Sequence, residues 1–140
     1  MKILLLNGVN LNMLGKRDVS LYGTDTLPQL EQKLTQYAKE LGVTLICAQN
    51  NVEGELVNIL QRTDCDAVVL NAGAYSHYSY ALRDCIECLS LPVVEVHMTD
   101  IYAREPFRHV DVLADVCVAR YYGKGIDSYR EALAYLASKR

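Results

Sequence analysis

Short apolar runs alternate with longer segments whose apolar residues recur at helical spacing, and few folds accept such an alternation. The runs are Met1–Asn7, Val43–Ala48, Ala67–Leu70, Val93–His97 and Val112–Ala119. They read as strands, and the first is continuous enough for burial on both faces. Between them lie helical patterns. Thr26, with Gln29 three residues on and Pro28 in the first turn, opens one helix. Leu27, Leu30, Leu34, Tyr37, Ala38 and Leu41 form its apolar stripe, and Gly42 ends it. Further helices are expected near Glu53–Arg62, from about His77 to Leu89, and over Ser128–Lys139, with a short helical turn within Asp100–Asp111.

Five β-α units fit a chain of 140 residues as one domain spanning residues 1–140. No linker, repeat or low-complexity segment divides them. The expected fold is a flavodoxin-like α/β domain: a doubly wound, five-stranded parallel sheet in the order 2-1-3-4-5, with right-handed crossovers. Its switch point lies between strands 1 and 3. The loops flanking it, Asn7–Tyr22 and Asn71–His77, carry glycine and polar residues, and strand 4 delivers His97 beside them. Small molecules bind along such an edge.

Composition removes several classes of function. Net charge is −3 with no basic block, which leaves no phosphate-neutralising face for nucleic acid. No apolar run approaches the roughly 20 residues of a membrane span, and no leader pattern opens the chain, so a cytoplasmic location is expected. The 5 cysteines, an odd number, are expected to be reduced. Cys47 and Cys117 fall in strand-like runs, and Cys85 and Cys88 share a helical pattern without a second pair at zinc spacing; no metal site is expected. A receiver domain needs acidic residues where Asn7-Gly8 and Asn71 stand. A flavodoxin needs a hydroxyl-rich loop where Gly8–Asn12 has none. No P-loop or G-x-G-x-x-G occurs. Ser76, Ser79 and His77 lack a nucleophile elbow, and Cys65 has no adjacent base.

Acid–base residues remain. Arg17 and Tyr22 share the long glycine-bearing loop, with Lys16 beside them. An arginine about 4 Å from a phenolic oxygen favours the phenolate by up to about 4 kcal/mol at an effective dielectric of about 20, enough for a general base. Taken alone, the pair reads more simply as a surface arginine and a tyrosine packing down its loop. Glu95 and His97, two apart in a strand, point to one face. The carboxylate would orient the imidazole and favour its protonated form, suiting a general acid, although a purely structural Glu–His bond fits equally well. Asn71 ends a buried strand and can bind an oxyanion or carboxylate; Gly73 permits close approach to backbone; His77 is expected at the start of the next helix. Singly, these are common turn and cap residues. Arg104 and Arg108 lie within reach of a polyhydroxylated acid, or are merely solvated.

Several segments together resemble type II 3-dehydroquinate dehydratases. They are Asn7-Gly8-Val9-Asn10-Leu11-Asn12-Met13-Leu14-Gly15 with Arg17 and Tyr22-Gly23, then Asn51-Val52-Glu53-Gly54-Glu55 and Asn71-Ala72-Gly73-Ala74-Tyr75-Ser76-His77. Glu95-Val96-His97-Met98-Thr99 and Ala103-Arg104-Glu105-Pro106-Phe107-Arg108 complete the set, in order along almost the whole chain. The resemblance implies anti elimination of water from 3-dehydroquinate to 3-dehydroshikimate through an enolate, without Schiff base, metal or organic cofactor. It implies Tyr22 as base, Arg17 as its electrostatic partner, Asn10 holding a water at the enolate, and His97, set by Glu95, as acid. Asn71 and the backbone amides of Met98 and Thr99 would hold the substrate carboxylate, and His77 and Arg108 the distal hydroxyls. Asp84 would come from a neighbouring subunit of a dodecamer built from trimers.

The chain departs from that pattern at several positions. Val9 and Val19 replace prolines, Val52 a histidine and Asp100 an asparagine; Asp111 stands near a usual serine, and Tyr121-Tyr122-Gly123 replaces Gly-Phe-Gly. Two other classes stay in view: a catalytically silent relative that senses a small hydroxy-carboxylate, and a flavodoxin-like interaction module with no ligand. The same step serves shikimate biosynthesis and quinate breakdown.

Overall fold

A computed structural model describes residues 1–140. Five parallel strands, β1 (Lys2–Asn7), β2 (Thr44–Gln49), β3 (Ala67–Asn71), β4 (Val93–His97) and β5 (Ala119–Tyr122), lie in the order β2-β1-β3-β4-β5, as expected. Five α-helices accompany them: α1 (Val19–Tyr22), α2 (Leu27–Glu40), α3 (Glu53–Arg62), α4 (Tyr80–Cys88) and α5 (Ile126–Ala137). Alternate residues of the central strands feed opposite cores. Ile3, Leu5, Val69 and Val94 pack with α2 and α5, while Leu4, Leu6, Val68 and Val93 pack with α3 and α4. A sheet covered on both faces is why the strands read as continuous apolar runs.

The start of α2 follows its sequence signature: Thr26 Oγ1 accepts from the Gln29 N–H, and Gln29 Oε1 accepts from the Thr26 N–H. The long loop after β1 is more ordered than its lack of periodicity suggested. It holds a 3-10 turn at Leu11–Met13 and the single-turn helix α1, whose Asp18 cap accepts from the Ser20 N–H.

Two elements differ from expectation. The fifth strand is not Val112–Ala119 but Ala119–Tyr122; Val112–Val118 is a run of bends and turns. That run still supplies apolar residues to the core, with Leu113 fully buried and Val116 and Cys117 packed beside it, so it mimics a strand in sequence. Only its end reaches the sheet, where Val118 N–H donates to the Val93 carbonyl; its start pairs elsewhere, with Val112 N–H donating to the Ser76 carbonyl and the Val112 carbonyl accepting from Arg83. Cys117 is therefore not a strand residue. The second difference follows β3, where Gly73–His77 form a 3-10 turn and α4 begins only at Tyr80, capped by Ser79. His77 thus closes that turn instead of opening α4.

Candidate active site

The carboxyl ends of β1, β3 and β4, with the loop after β1 folded over them, enclose a cavity. Asn10, Arg17, Tyr22, Asn71, Gly73, His77, His97, Met98, Thr99 and Arg108 all line it, and Arg104 joins them. Of the residues singled out from sequence, Glu95 and Asp84 are not in its wall. Glu95 is buried behind His97, and Asp84 is exposed on α4.

Close backbone contact at the switch point sets this geometry. Gly8 N–H donates to the Asn71 carbonyl at 2.7 Å, extending the β1–β3 ladder by one bond. A Cβ on Gly8 would meet the Ala72 carbonyl oxygen at 2.6 Å, and one on Gly73 the Val9 carbonyl oxygen at 2.7 Å. Gly73, at φ 64°, accordingly serves the crossing of two loops as well as any ligand. Asn10 adopts the left-handed conformation that asparagine tolerates, and its N–H donates to Asn51 Oδ1.

Tyr22 ends α1 with its hydroxyl between two guanidinium groups. Arg17 Nη2 donates to it at 3.0 Å and Arg104 Nη1 at 2.7 Å; Arg17 also lies 3.9 Å over the ring centroid. Arg104 Nη1 further reaches Thr99 Oγ1 at 3.3 Å. Charge-assisted donors converging on one oxygen stabilise negative charge there. The second cation at this oxygen is Arg104; Lys16 is exposed and outside the cavity.

His97 Nε2 lies 2.6 Å from Glu95 Oε2 and 3.5 Å from Asp111 Oδ2, leaving Nδ1 as its other ring nitrogen. Burial opposes a charged imidazole, but Asp111 and Glu95 outweigh it and raise the His97 pKa to about 9. Burial, with Asp111 adding to it against the pull of His97, pushes Glu95 up to about 7. Asp111 moves the other way: against its burial, His97 and Glu95 hold it well below the usual carboxylate range. Glu95, His97 and Asp111 bring three potential metal-ligand atoms within 4.8 Å of one another. However, the 2.6 Å contact is the length of a charge-assisted hydrogen bond, and Arg120 already gives Asp111 a cation, so the donor set suits a proton better than a metal.

The remaining wall is built from turns. His77 Nδ1 lies 2.8 Å from the Val110 carbonyl, and its ring stacks on His97 at 6.4 Å. Burial lowers its pKa, and the positive charges of His97 and Arg108 add to this, so a neutral imidazole faces a charged one. Arg108 Nε is 2.5 Å from Glu105 Oε2. The backbone amides of Met98 and Thr99 donate to no group of the chain. Asn71 Nδ2 donates to the Tyr129 hydroxyl at 2.8 Å, which donates to Asn7 Oδ1 at 2.6 Å. Tyr129, on the buried face of α5, thus ties together two strand-end asparagines. Nothing in its own segment signals this, because its partners lie on β1 and β3.

Comparison with known proteins agrees with this architecture. The pattern of the family described as dehydroquinase class II matches residues 1–137. The chain is 49% identical over 140 residues to a 3-dehydroquinate dehydratase of Pelotomaculum thermopropionicum, covering 99% of this chain and 97% of that protein. It is also 49% identical to the 3-dehydroquinate dehydratase of Anoxybacillus flavithermus over 137 residues, covering 96% and 93%. The crystal structure of the type II dehydroquinase from Butyrivibrio crossotus superposes with a TM-score of 0.94 at 38% identity, covering 97% of each chain. With a switch-point cavity holding tyrosine, arginine and a carboxylate-backed histidine, the chain belongs to the class II dehydroquinase family and is an enzyme of the hydro-lyase type.

Proposed function

We propose that the chain dehydrates 3-dehydroquinate to 3-dehydroshikimate by anti elimination through an enolate, in shikimate biosynthesis or quinate breakdown. One observation carries this reading: the Tyr22 hydroxyl, flanked by Arg17 and Arg104, shares a cavity with His97, backed by Glu95. Tyr22, as phenolate, takes the proton alpha to the ketone, and the electron pair moves onto the carbonyl oxygen. Arg17 stabilises the charge on either side of that transfer, and Asn10 holds a water at the enolate oxygen. Collapse of the enolate expels the hydroxyl, which leaves as water with the proton from His97. Return of one proton from Tyr22 to solvent and gain of one by His97 reset the site.

Asn71 and the free amides of Met98 and Thr99 hold the carboxylate, and His77 and Arg108 the distal hydroxyls. No lysine lines the cavity, which disfavours an imine route. Asp84 is exposed on α4 and outside the cavity, so its contribution requires a second copy of the chain. This is consistent with a dodecamer of trimers, and sedimentation of the purified protein tests it.

The direct test is ultraviolet absorbance of purified protein mixed with 3-dehydroquinate, which follows the conjugated enone product. A rise that is lost in Arg17→Ala supports the reaction and the role of Arg17. A flat trace overturns it; if dehydroquinate still raises the melting temperature, the chain is a sensor.

A further inference from the structure

Asp111 and Arg120 form a largely buried ion pair behind His97 that the elimination chemistry does not use. Asp111 Oδ2 is 3.1 Å from Arg120 Nη1, and only 3% of the Asp111 side chain is exposed. Strand register brings Arg120 there, because it pairs with Glu95 across β4 and β5. The rings of Tyr102 and Tyr122 pack 5.5 and 5.0 Å from its guanidinium carbon. Asp111 Oδ1 accepts from the Leu113 N–H at 3.0 Å, which fixes the carboxylate from a further side. A buried carboxylate is costly unless paired, and here the pairing runs outward to Arg120 and inward to His97.

Glu95 on its own is an incomplete counter-charge. Its Oε1 is buried with no hydrogen-bond partner, and burial and Asp111 push its pKa up to about 7. Asp111, by contrast, is held against its burial well below the usual carboxylate range by His97, Glu95 and the Leu113 N–H. We propose that Asp111, anchored by Arg120, is a positioning residue that supplies the permanent negative charge holding His97 protonated and its imidazole oriented toward the cavity. The reading as a dehydratase enters only in the use made of that proton, its delivery to the departing hydroxyl.

The other charged groups near His97 do not replace Asp111. Arg108 and His77, from the turns lining the cavity, contribute positive or neutral character. The Cys117 thiol, close to Glu95 and Asp111, is pushed far up by burial and by those carboxylates and stays neutral.

The test is an NMR pH titration of the full chain with histidine labelled at Cε1, without substrate, the His97 signal being assigned with His97→Asn. Asp111→Asn is expected to lower the His97 midpoint by about one pH unit or more. Asp111→Asn/Arg120→Gln removes the pair together, sparing the fold an unpaired arginine, and shifts the midpoint in the same direction by less. Asp115→Asn removes a carboxylate of the same segment that faces Arg83, and leaves the midpoint unmoved. In turnover of 3-dehydroquinate, the alkaline limb of kcat in Asp111→Asn moves down with the midpoint while KM at neutral pH changes less than about twofold. An unmoved midpoint in both Asp111 variants, or an equal shift in Asp115→Asn, overturns the proposal. A wild-type chain that leaves 3-dehydroquinate intact overturns proton delivery alone, and the NMR comparison still decides the counter-charge.

Discussion

Arg104 Nη1 lies 2.7 Å from the Tyr22 hydroxyl, closer than Arg17 Nη2 at 3.0 Å, although 82 residues separate Arg104 from Tyr22 in the chain. The contact joins the loop after β1 to the connection after β4. The two segments therefore meet at the phenolic oxygen, and each supplies one of its two guanidinium donors.

Arg104→Ala is expected to lower kcat by about 10²–10³, the usual cost of removing one preorganised donor from a developing charge. Arg104→Lys restores only part of the loss, because a point charge on a flexible stem does not reproduce the fork that reaches both Tyr22 and Thr99. Steady-state kinetics of the two variants decide it. A kcat near wild type in Arg104→Ala would remove the residue from the chemistry.

Tyr22→Phe and His97→Ala should each reduce turnover by about 10²–10⁴ or more while leaving the secondary structure intact by circular dichroism. Tyr22 is only half-buried at the end of a four-residue helix, so loss of its hydroxyl costs the fold little. A near-normal rate in either purified variant would sink the acid–base assignment.

Stability should fall as pH rises from mildly acidic to alkaline. The folded-state pKa of His97 is raised from 6.5 to about 9, so the folded chain binds that proton more tightly, and the stabilisation fades as pH climbs through this window. Glu95, raised from 4.5 to about 7, acts in the same sense at lower pH. Asp111, depressed, gives stability that is present above its ordinary value of 3.8 and lost as pH falls further. Thermal melts across this range should show the alkaline decline in wild type and a flatter profile in His97→Asn. Parallel profiles would refute the linkage.

Tyr129→Phe should destabilise the chain by about 1–3 kcal/mol, because it strips a partner from the buried Asn7 Oδ1 and Asn71 Nδ2 at once. Asn7 Nδ2 already lacks a partner, so the network has no spare bond to absorb the loss. KM should rise with the freed Asn71 while kcat falls less. Urea denaturation and substrate saturation measure the two effects, and unchanged stability would show the tyrosine to be simple core.

The strand order, the α2 capping box and most of the cavity wall were legible in the sequence because they depend on local pattern: apolar runs, caps, and the residues just after strand ends. The errors have one physical origin. Val112–Val118 has a strand-like apolar pattern because Leu113, Val116 and Cys117 pack into the core, but its start pairs with the Ser76 carbonyl and with Arg83, which no local pattern reveals. Arg104 and Asp111 are ordinary loop residues until tertiary packing brings one to Tyr22 and the other to His97. Tyr129 has the spacing of a core residue, and only its hydroxyl contacts distinguish it.

Gly73 and Gly54, both within the segments that resemble the family, should respond oppositely to alanine. At Gly73 the backbone has φ 64°, which costs an L-residue roughly 1 kcal/mol, and the new Cβ would sit 2.7 Å from the Val9 carbonyl oxygen. Backbone cannot yield as a flexible side chain does, so the loop carrying Val9 and Asn10 must lift. Both stability and turnover should drop in Gly73→Ala. Gly54 lies in the first turn of α3 with nothing within 4 Å of a built Cβ, so Gly54→Ala should stabilise by up to about 1 kcal/mol and leave kcat unchanged. Urea midpoints and rates of the two variants test the pair. A Gly73→Ala chain as stable and active as wild type would mean that the loops cross with room to spare, and that the loop after β1 is not held by the backbone contact at the switch point.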